Sequence, residues 1–460
     1  MVRAREARHP GQEAEARLQL ATVYNATGRF SEATRSAQEA LNYYQKQKHR
    51  RGQILALTTM GSVYVHSNDY ERAIECFRQG LETIRSSGDE GLAGRIYNNL
   101  GAVYSAIGTI SMAEEHFNKA VIIAKEHSDL KLEAQALNNL ALELINTGAI
   151  EEGLSHHQKA LRIFQQIGSR RDEAICLNNI GLVYVSRSDF LRARNLLNRS
   201  LAISREILNQ RDEANTLCNM GSISLELGES AAARDNLNQA MVLAEQIGVQ
   251  RIKAHILDNL GSLDMVLGSH ETAMQQITQA LQIWKKLGNE RGRAGSLITM
   301  GEVLLAAGNP GGAEDQFRSA LEICGLYSLK PISAQSWLGL SEASVAGGNL
   351  DAARRYLDDF SRTGMAESCP DKRARGLQIS GQIHLAAGES KKAEEELSLA
   401  AAIYAAAGMK FRLAQVKYHL GKAFSLSGKS GSSRRAWAES RKLFREIGAK
   451  DWLIRIKANR

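Results

Sequence analysis

Apolar residues recur along the chain at helical spacing, and the whole pattern returns every 40 residues. In 131–170, Leu137, Leu140, Ala141 and Leu144 mark one face of a first helix, and Gly148 ends it. Leu154, Ala160, Leu161 and Phe164 mark a second helix, with Gly168 following as a glycine cap. Each unit is therefore predicted to be a hairpin of two helices, each roughly 16 residues and roughly 24 Å long. Position 21 and every 40th residue after it, through Gly61, Gly101 and Ala141 to Gly421, is Gly, Ala or Ser in all eleven units. Twelve residues further on, Ala33 to Ala393 form a second small column, broken only by Gly153 and Ser433. A third runs from Ala40 to Ser440, with Phe360 as its one large member. Small residues at fixed phases mark places where helices must approach closely.

Turn chemistry keeps the same register. Gly28, Gly108, Gly148 and Gly228 to Gly428 occupy one column, with Asn68 and Ser188 in its gaps. Pro10, Pro331 and Pro370 fall at unit junctions, and Pro310 falls in an inter-helix turn. A lone hairpin cannot bury its apolar face, whereas stacked hairpins share one core and gain stability by nearest-neighbour terms. The expected fold is all-α: a right-handed α-solenoid of about eleven 40-residue helical hairpins plus a C-terminal capping helix. Its expected bounds are a basic lead-in at 1–10, repeats over 11–450 starting near 11, 51, 91, 131, 171, 211, 251, 291, 331, 371 and 411, and a cap at 451–460.

The pattern resembles the tetratricopeptide repeat. Gly101, Tyr104, Gly108, Ala113 and Ala120 match the family's small, aromatic, turn and two Ala positions, as do Gly61, Tyr64, Asn68, Ala73 and Gly80. The unit length and the string Asn98-Asn99-Leu100-Gly101 are similar to the 40-residue subgroup of kinesin light chains and spindle-orientation adaptors, and to repeat arrays of bacterial signalling regulators. The aromatic position departs from the family's pattern at Ser224, Asp264, Ser344 and His384. The resemblance implies protein–protein binding, usually of a peptide in a concave groove lined by first helices.

The strongest candidate for such a groove is a ladder of amides. Asn99, Asn139, Asn179, Asn219 and Asn259 recur at one phase, and Asn98, Asn138 and Asn178 double it, followed in that column by Cys218 and Asp258. An amide both donates and accepts, so a row of them suits an extended peptide backbone. Leu142 and Leu182, with Ile145, Val185, Leu225 and Met265, add apolar spots; Arg95, His255 and Glu226 add polarity. The expected peptide-binding set is Arg95, Asn98, Asn99, Asn138, Asn139, Leu142, Asn178, Asn179, Leu182, Cys218, Asn219 and Asn259. The alternative is structural: such an Asn bonds the adjacent unit and sets the stacking angle. The matching positions carry no Lys, which argues against a carboxylate clamp for chaperone tails.

Composition narrows the function. The chain of 460 residues is 43% hydrophobic and 23% charged, with no apolar run long enough to span a membrane. Arg3, Arg5 and Arg8 without an apolar stretch do not make a secretory signal. Five unpaired cysteines suit a reducing cytoplasm. The net charge of +8 is concentrated: residues 429–460 hold ten basic and three acidic residues beside Trp437, Phe444 and Ile447. That segment suits an acidic partner, or simply the solvated outer face of a terminal repeat; nucleic acid is not expected.

Signals for chemistry fail. Gly428-Lys429-Ser430 lacks the first glycine of a phosphate loop, since Ala423 stands there, and helices flank it. His156 and His157 are adjacent and diverge by about 100°, which suits surface residues rather than metal ligands. No cofactor, metal or catalysis is expected. The expected function is a non-enzymatic scaffold or adaptor that holds a partner's peptide segment; the alternative is the sensor or regulatory arm of a bacterial-type signalling or transcription-regulating system.

Overall fold

The computed structural model describes residues 10–327 and 329–458. The lead-in arginines Arg3, Arg5 and Arg8, and Arg460, lie outside the described residues. Every regular element among the described residues is a helix. The array opens with Pro10–Ala26 and Phe30–Lys46, continues in tandem pairs to Lys410–Leu426 and Ser430–Ile447, and ends with Lys450–Ala458. The chain divides into two compact units, Met1–Ile145 with Glu151–Ser169 and Asn146–Ile150 with Arg170–Arg460.

One packing rule builds each hairpin. The small residue of the first helix lies under a large side chain from the second, 16 residues on: Gly61 under Phe77, Gly101 under Phe117, Gly221 under Leu237, Gly261 under Ile277 and Gly301 under Phe317. A Cβ on Gly101 would sit 2.6 Å from Phe117 Cδ1, and one on Gly221 would sit 2.6 Å from Leu237 Cγ. The Ala column at 33, 73, 113 and onward is fully buried against the same seam. Where serine replaces alanine or glycine there, its hydroxyl finds a carbonyl: Ser433 Oγ donates to Gly421 O at 2.8 Å, and Ser341 Oγ to Ala353 O at 2.7 Å. A polar atom in that seam must be satisfied, and each of these is.

Left-handed backbone ends both helices of a unit. Gly28, Gly108, Gly148, Gly228 and their column-mates have positive φ, and Asn68 and Ser188 take the same conformation at φ 60° and 59°. The prolines all sit in the first turn of a helix, including Pro310, which starts Pro310–Tyr327 rather than lying in the turn before it.

Two expectations need correction. The ninth hairpin is irregular: its second helix, Leu350–Arg362, is only 13 residues and gives way to Gly364 and the short helix Met365–Ser368. Phe360, too large for the small column, is 3% exposed and fills this seam. Nearest-neighbour stacking is also incomplete as a description of the second unit. There the last hairpins return to pack on earlier ones. Ser230 Oγ donates to Ile447 O at 2.8 Å, and His270 Nε2 bonds Asp451 Oδ2 at 2.6 Å. Phe190 and Leu227 share one apolar cluster with Tyr404 and Met409.

The seam predicts opposite outcomes for two glycines. Gly101→Val should lower stability by about 1–3 kcal/mol through overpacking against Phe117. Gly295→Ala, in mid-helix with nothing within 4 Å of a new Cβ, should raise it by about 0.5–1 kcal/mol. Urea denaturation followed by circular dichroism checks both; a neutral Gly101→Val would remove close packing as the reason for the column.

Candidate functional site

The helix face that carries the asparagines contains several columns. Asn98 and Asn138 begin one that continues through Asn178, Cys218 and Asp258; Asn99 begins its neighbour. The amides are linked across repeats. Asn139 Nδ2 donates to Asn98 Oδ1 at 3.0 Å in the first unit. In the second unit, Asn219 Nδ2 donates to Asn178 Oδ1 at 2.9 Å, and Asn259 Nδ2 donates to Cys218 Sγ at 3.3 Å. Each bond joins the later member of one column to the earlier repeat's member of the other. Each donating amide spends one N–H on it, and Asn99, Asn139, Asn179, Asn219 and Asn259 stay half-buried rather than enclosed.

The remaining candidates divide by exposure. Leu142 and Leu182 are 38% and 41% exposed. Arg95 is exposed and pairs with Asp129 at 3.7 Å. Asn138 and Cys218 are buried, so neither presents a surface to a ligand. Asn138 Oδ1 meets His157 Nδ1 at 3.0 Å, and desolvation pushes the Cys218 thiol up to about 12. His157 is itself fully buried, not a surface residue: it occupies the large-side-chain column of Phe77 and Phe117, and desolvation holds it down at about 4. Its place in that column was the signal that adjacency to His156 obscured. His255 packs edge-on against Trp284 at 4.7 Å and is depressed to about 4 by burial, then by Arg251 and Arg291.

The same columns, followed into the later repeats, line a cavity of about 480 Å³ inside the second unit. The column of Arg95 becomes Arg375 and Gln415, that of Asn98 becomes Gln378, and that of Asn99 becomes His419. Leu142 and Leu182 give way to Glu302, Glu342, Gln382 and Lys422. Sequence reading followed the ladder only while asparagine persisted, and so missed these residues; the register itself would have found them.

Charge in this interior is paired. Arg375 Nη1 donates to Glu302 at 2.6 Å and Nη2 to Glu342 at 2.9 Å, with Arg412 3.7 Å from Glu302. Burial alone would favour neutral Arg375, but Glu302 and Glu342 more than offset it and its pKa rises. Burial likewise opposes an ionised Glu342, and Arg375 and Arg412 reverse the sign and lower it. Desolvation pushes Glu226 up, only partly countered by Arg412. His419 bonds Gln382 at 2.9 Å and is pressed down to about 3 by burial, then by Lys422 and Arg455.

The basic final segment turns its apolar residues inward. Phe444 and Ile447 are buried, Phe444 stacks on Trp452 at 5.0 Å, and Trp437 Nε1 donates to Tyr418 O. Arg434, Arg435, Lys442, Arg445 and Lys450 face solvent. Among the described residues no helix is long and apolar enough to cross a membrane, and no cluster of His, Cys, Asp and Glu is arranged to hold a metal ion.

Tandem helical hairpins with small-residue seams and a repeated first-helix face define an α-helical repeat protein. The tetratricopeptide repeat signature matches residues 12–86, 52–126, 132–206 and 252–325, more than half of the chain, which therefore belongs to that family. No curated protein matches the sequence as a whole. Among solved structures, a Rap protein complexed with Competence and Sporulation Factor is similar at 12% identity and a TM-score of 0.56, over 78% of this chain and 99% of that one. BtubC (BKLC) from P. vanneervenii is similar at 21% identity and a TM-score of 0.41, over 48% and 91%. Yeast Tom70 is similar at 12% identity and a TM-score of 0.40, over 97% and 96%. At 12% identity the likeness to the Rap protein is one of fold.

Asp258, the acidic member of the Asn98 column, gives a prediction. Its carboxylate accepts from Ser296 Oγ at 2.7 Å and Trp284 Nε1 at 3.3 Å. Burial nevertheless raises it from 3.8 to about 7. The folded state thus binds this proton more tightly than the unfolded chain. The stability so gained is complete below 3.8 and is lost as pH rises through about 7. Asp258→Asn should match the parent near pH 4 and exceed it by roughly 4 kcal/mol above about pH 7. Denaturant melts at the two pH values measure the difference; a gap independent of pH would refute the assignment.

Proposed function

We propose that this repeat protein is a non-enzymatic adaptor that holds an extended segment of a partner protein on its first-helix face. Arrays of this family serve as protein–protein interaction scaffolds, and the chain belongs to it. The observation that carries the reading is the amide columns. Asn98, Asn99 and Asn139 in the first unit, and Asn178, Asn179, Asn219 and Asn259 in the second, repeat at two adjacent phases and lie half-buried. The inter-repeat bonds fix their orientation and leave further donor and acceptor capacity on the donating amides. Leu142 and Leu182 offer apolar contact beside them. The exposed arginines and lysines of 429–460 suit an acidic region of a partner, with the neighbouring aromatics committed to packing. Five free, buried cysteines fit a reducing compartment, and we place the protein in the cytoplasm.

Replacing Asn139, Asn179 and Asn219 together by Ala tests this. Partners captured by the parent chain should be lost or weakened at least about tenfold, the effect of removing roughly 1.4 kcal/mol of contacts. Undiminished capture by a variant with unchanged circular dichroism would refute it.

A second reading, a regulatory arm of a signalling system, is favoured by the closure of the second unit through Ser230 and Ile447 and through His270 and Asp451. Closure made by contacts between distant repeats, polar at Ser230 and His270 and apolar around Phe190 and Leu227, can respond to a partner by opening. On this reading, small-angle scattering should show the radius of gyration rising when a captured partner is added back in excess of what its own mass contributes; a rigid chain would dismiss it.

A further inference from the structure

The cavity in the second unit is lined by polar side chains with bonding capacity to spare. Gln378 is 1% exposed and Gln415 9%, and the Oε1 of each accepts no hydrogen bond from the described residues. Arg375, 8% exposed, has both Nη atoms engaged, but its Nε finds no acceptor among them. A buried donor or acceptor left so is destabilising. All three residues line one space of about 480 Å³, a volume typical of small-ligand pockets. They are also neighbours by register. Arg375 and Gln378 lie one turn apart on the helix Pro370–Ala386, and Gln415 follows Arg375 by 40 residues, in the same column of the next repeat. Leu305, Val345, Leu385, Phe411 and Trp452 supply apolar walls.

The charged groups around this space have engagements of their own. Arg375 bonds Glu302 and Glu342, and Arg412 lies 3.7 Å from Glu302. Glu226 is drawn to the same Arg412. His270 holds Asp451 at the edge. Arg455 donates to Ala306 O at 2.9 Å and stands over the Trp452 ring, while Lys422 stands over that of Tyr418. Carboxylates and cations are intermixed, so the cavity presents no single sign of charge. An ion brought in would give up its water to a mixed field, which is costly. What remains for a ligand, at the most buried positions, is two amide oxygens and one guanidinium N–H. An amide side chain pairs most fully with another amide, because N–H and C=O lie side by side in both.

We propose that this cavity is a binding site for a small uncharged molecule that carries an amide-type N–H and C=O on an apolar body. Its N–H donates to Gln378 or Gln415, its C=O accepts from Arg375 Nε, and its apolar body lies against Leu385, Phe411 and Trp452. The helix Lys450–Ala458, which brings Trp452, forms one wall. The site uses none of the asparagines proposed to hold a partner's segment, so either reading can fail without the other.

The probe is the cyclic dipeptide of leucine and phenylalanine, uncharged, with two ring amides and two apolar side chains. Titrated into the full chain in a calorimeter, it should bind saturably at one site per chain. Its doubly N-methylated derivative keeps the ring and loses both donors, and should bind at least about tenfold more weakly. The open-chain dipeptide of the same residues, a zwitterion at neutral pH, should be weakened as much, because it brings charges into the site. Gln378→Met combined with Gln415→Met, close in shape, should weaken the probe at least about tenfold. The same double variant should melt no lower than the parent, since two unpartnered oxygens are removed. Absence of saturable binding, parent-like affinity for either altered ligand, or parent-like binding by the double variant would each overturn the proposal. A double variant that melts lower or fails to fold would overturn it too, because the amides would then serve the fold. The ligand series is read on the parent chain and needs no variant.

Discussion

Every hairpin depends on one close approach. A Gly, Ala or Ser on the first helix lies beneath a Phe, Leu, Ile or Trp from the second in most hairpins, with Ala37 and His157 in that place in the first and fourth, and the buried Ala column closes the same seam from the other side. Because the seam admits no extra carbon at Gly101 or Gly221, it fixes how each first helix is rotated about its axis. The opposite face of that helix is fixed with it. Residues at 98, 99, 102 and 105, and at each 40-residue step from them, therefore fall on one side of their helices without any direct selection for that outcome. The candidate binding face is a by-product of packing on the face behind it.

That coupling explains why two very different surfaces arise from one register. In the earlier repeats these columns carry amides and leucines. In the later ones they carry Arg375, Gln378, Glu302, Glu342 and Lys422, of which Arg375, Glu302 and Glu342 are paired with one another in an interior. The change of composition coincides with closure of the second unit, in which the last hairpins and Lys450–Ala458 come back onto the turns at Gly228 and Gly268. There a Cβ on Gly228 would meet Ile447 Cγ1 at 3.0 Å, so close approach operates between distant repeats as well as within one.

The helices, their left-handed caps, the seams and the family were all legible in the sequence, because each rests on contacts inside a 40-residue window. Closure was not legible: Ser230 and Ile447 are separated by five repeats, and nothing local distinguishes Ser230 from any other residue starting a helix. The asparagine columns were legible as a ladder, but their bonds were not. The offset pairing of Asn139 with Asn98 depends on how one hairpin is rotated onto the next. Asn138 and Cys218 were misplaced for a related reason, since they lie on the edge of the face that turns inward and one helical step decides burial. His157 was misplaced for a different one: its neighbour His156 drew the comparison, while its own column, of Phe77, Phe117 and Leu197, marked it as core.

The interior of the second unit is costly to build. Transferring two guanidinium and two carboxylate groups out of water costs several kcal/mol per ion before their mutual attraction is counted, and apolar side chains of similar size commonly serve stability equally well. Packing alone therefore does not account for Arg375 between Glu302 and Glu342, nor for glutamines whose oxygens lack donors. Several buried serines are satisfied, since Ser341, Ser433, Ser200 and Ser440 each give their hydroxyl to a carbonyl, whereas Ser204 Oγ has no such partner. Gln378, Gln415 and Arg375 gather three unpartnered atoms in one cavity. Polar groups held rigidly by their neighbours, with bonding capacity left over, are in the arrangement that lets an incoming molecule gain its hydrogen bonds without first reorganising the protein.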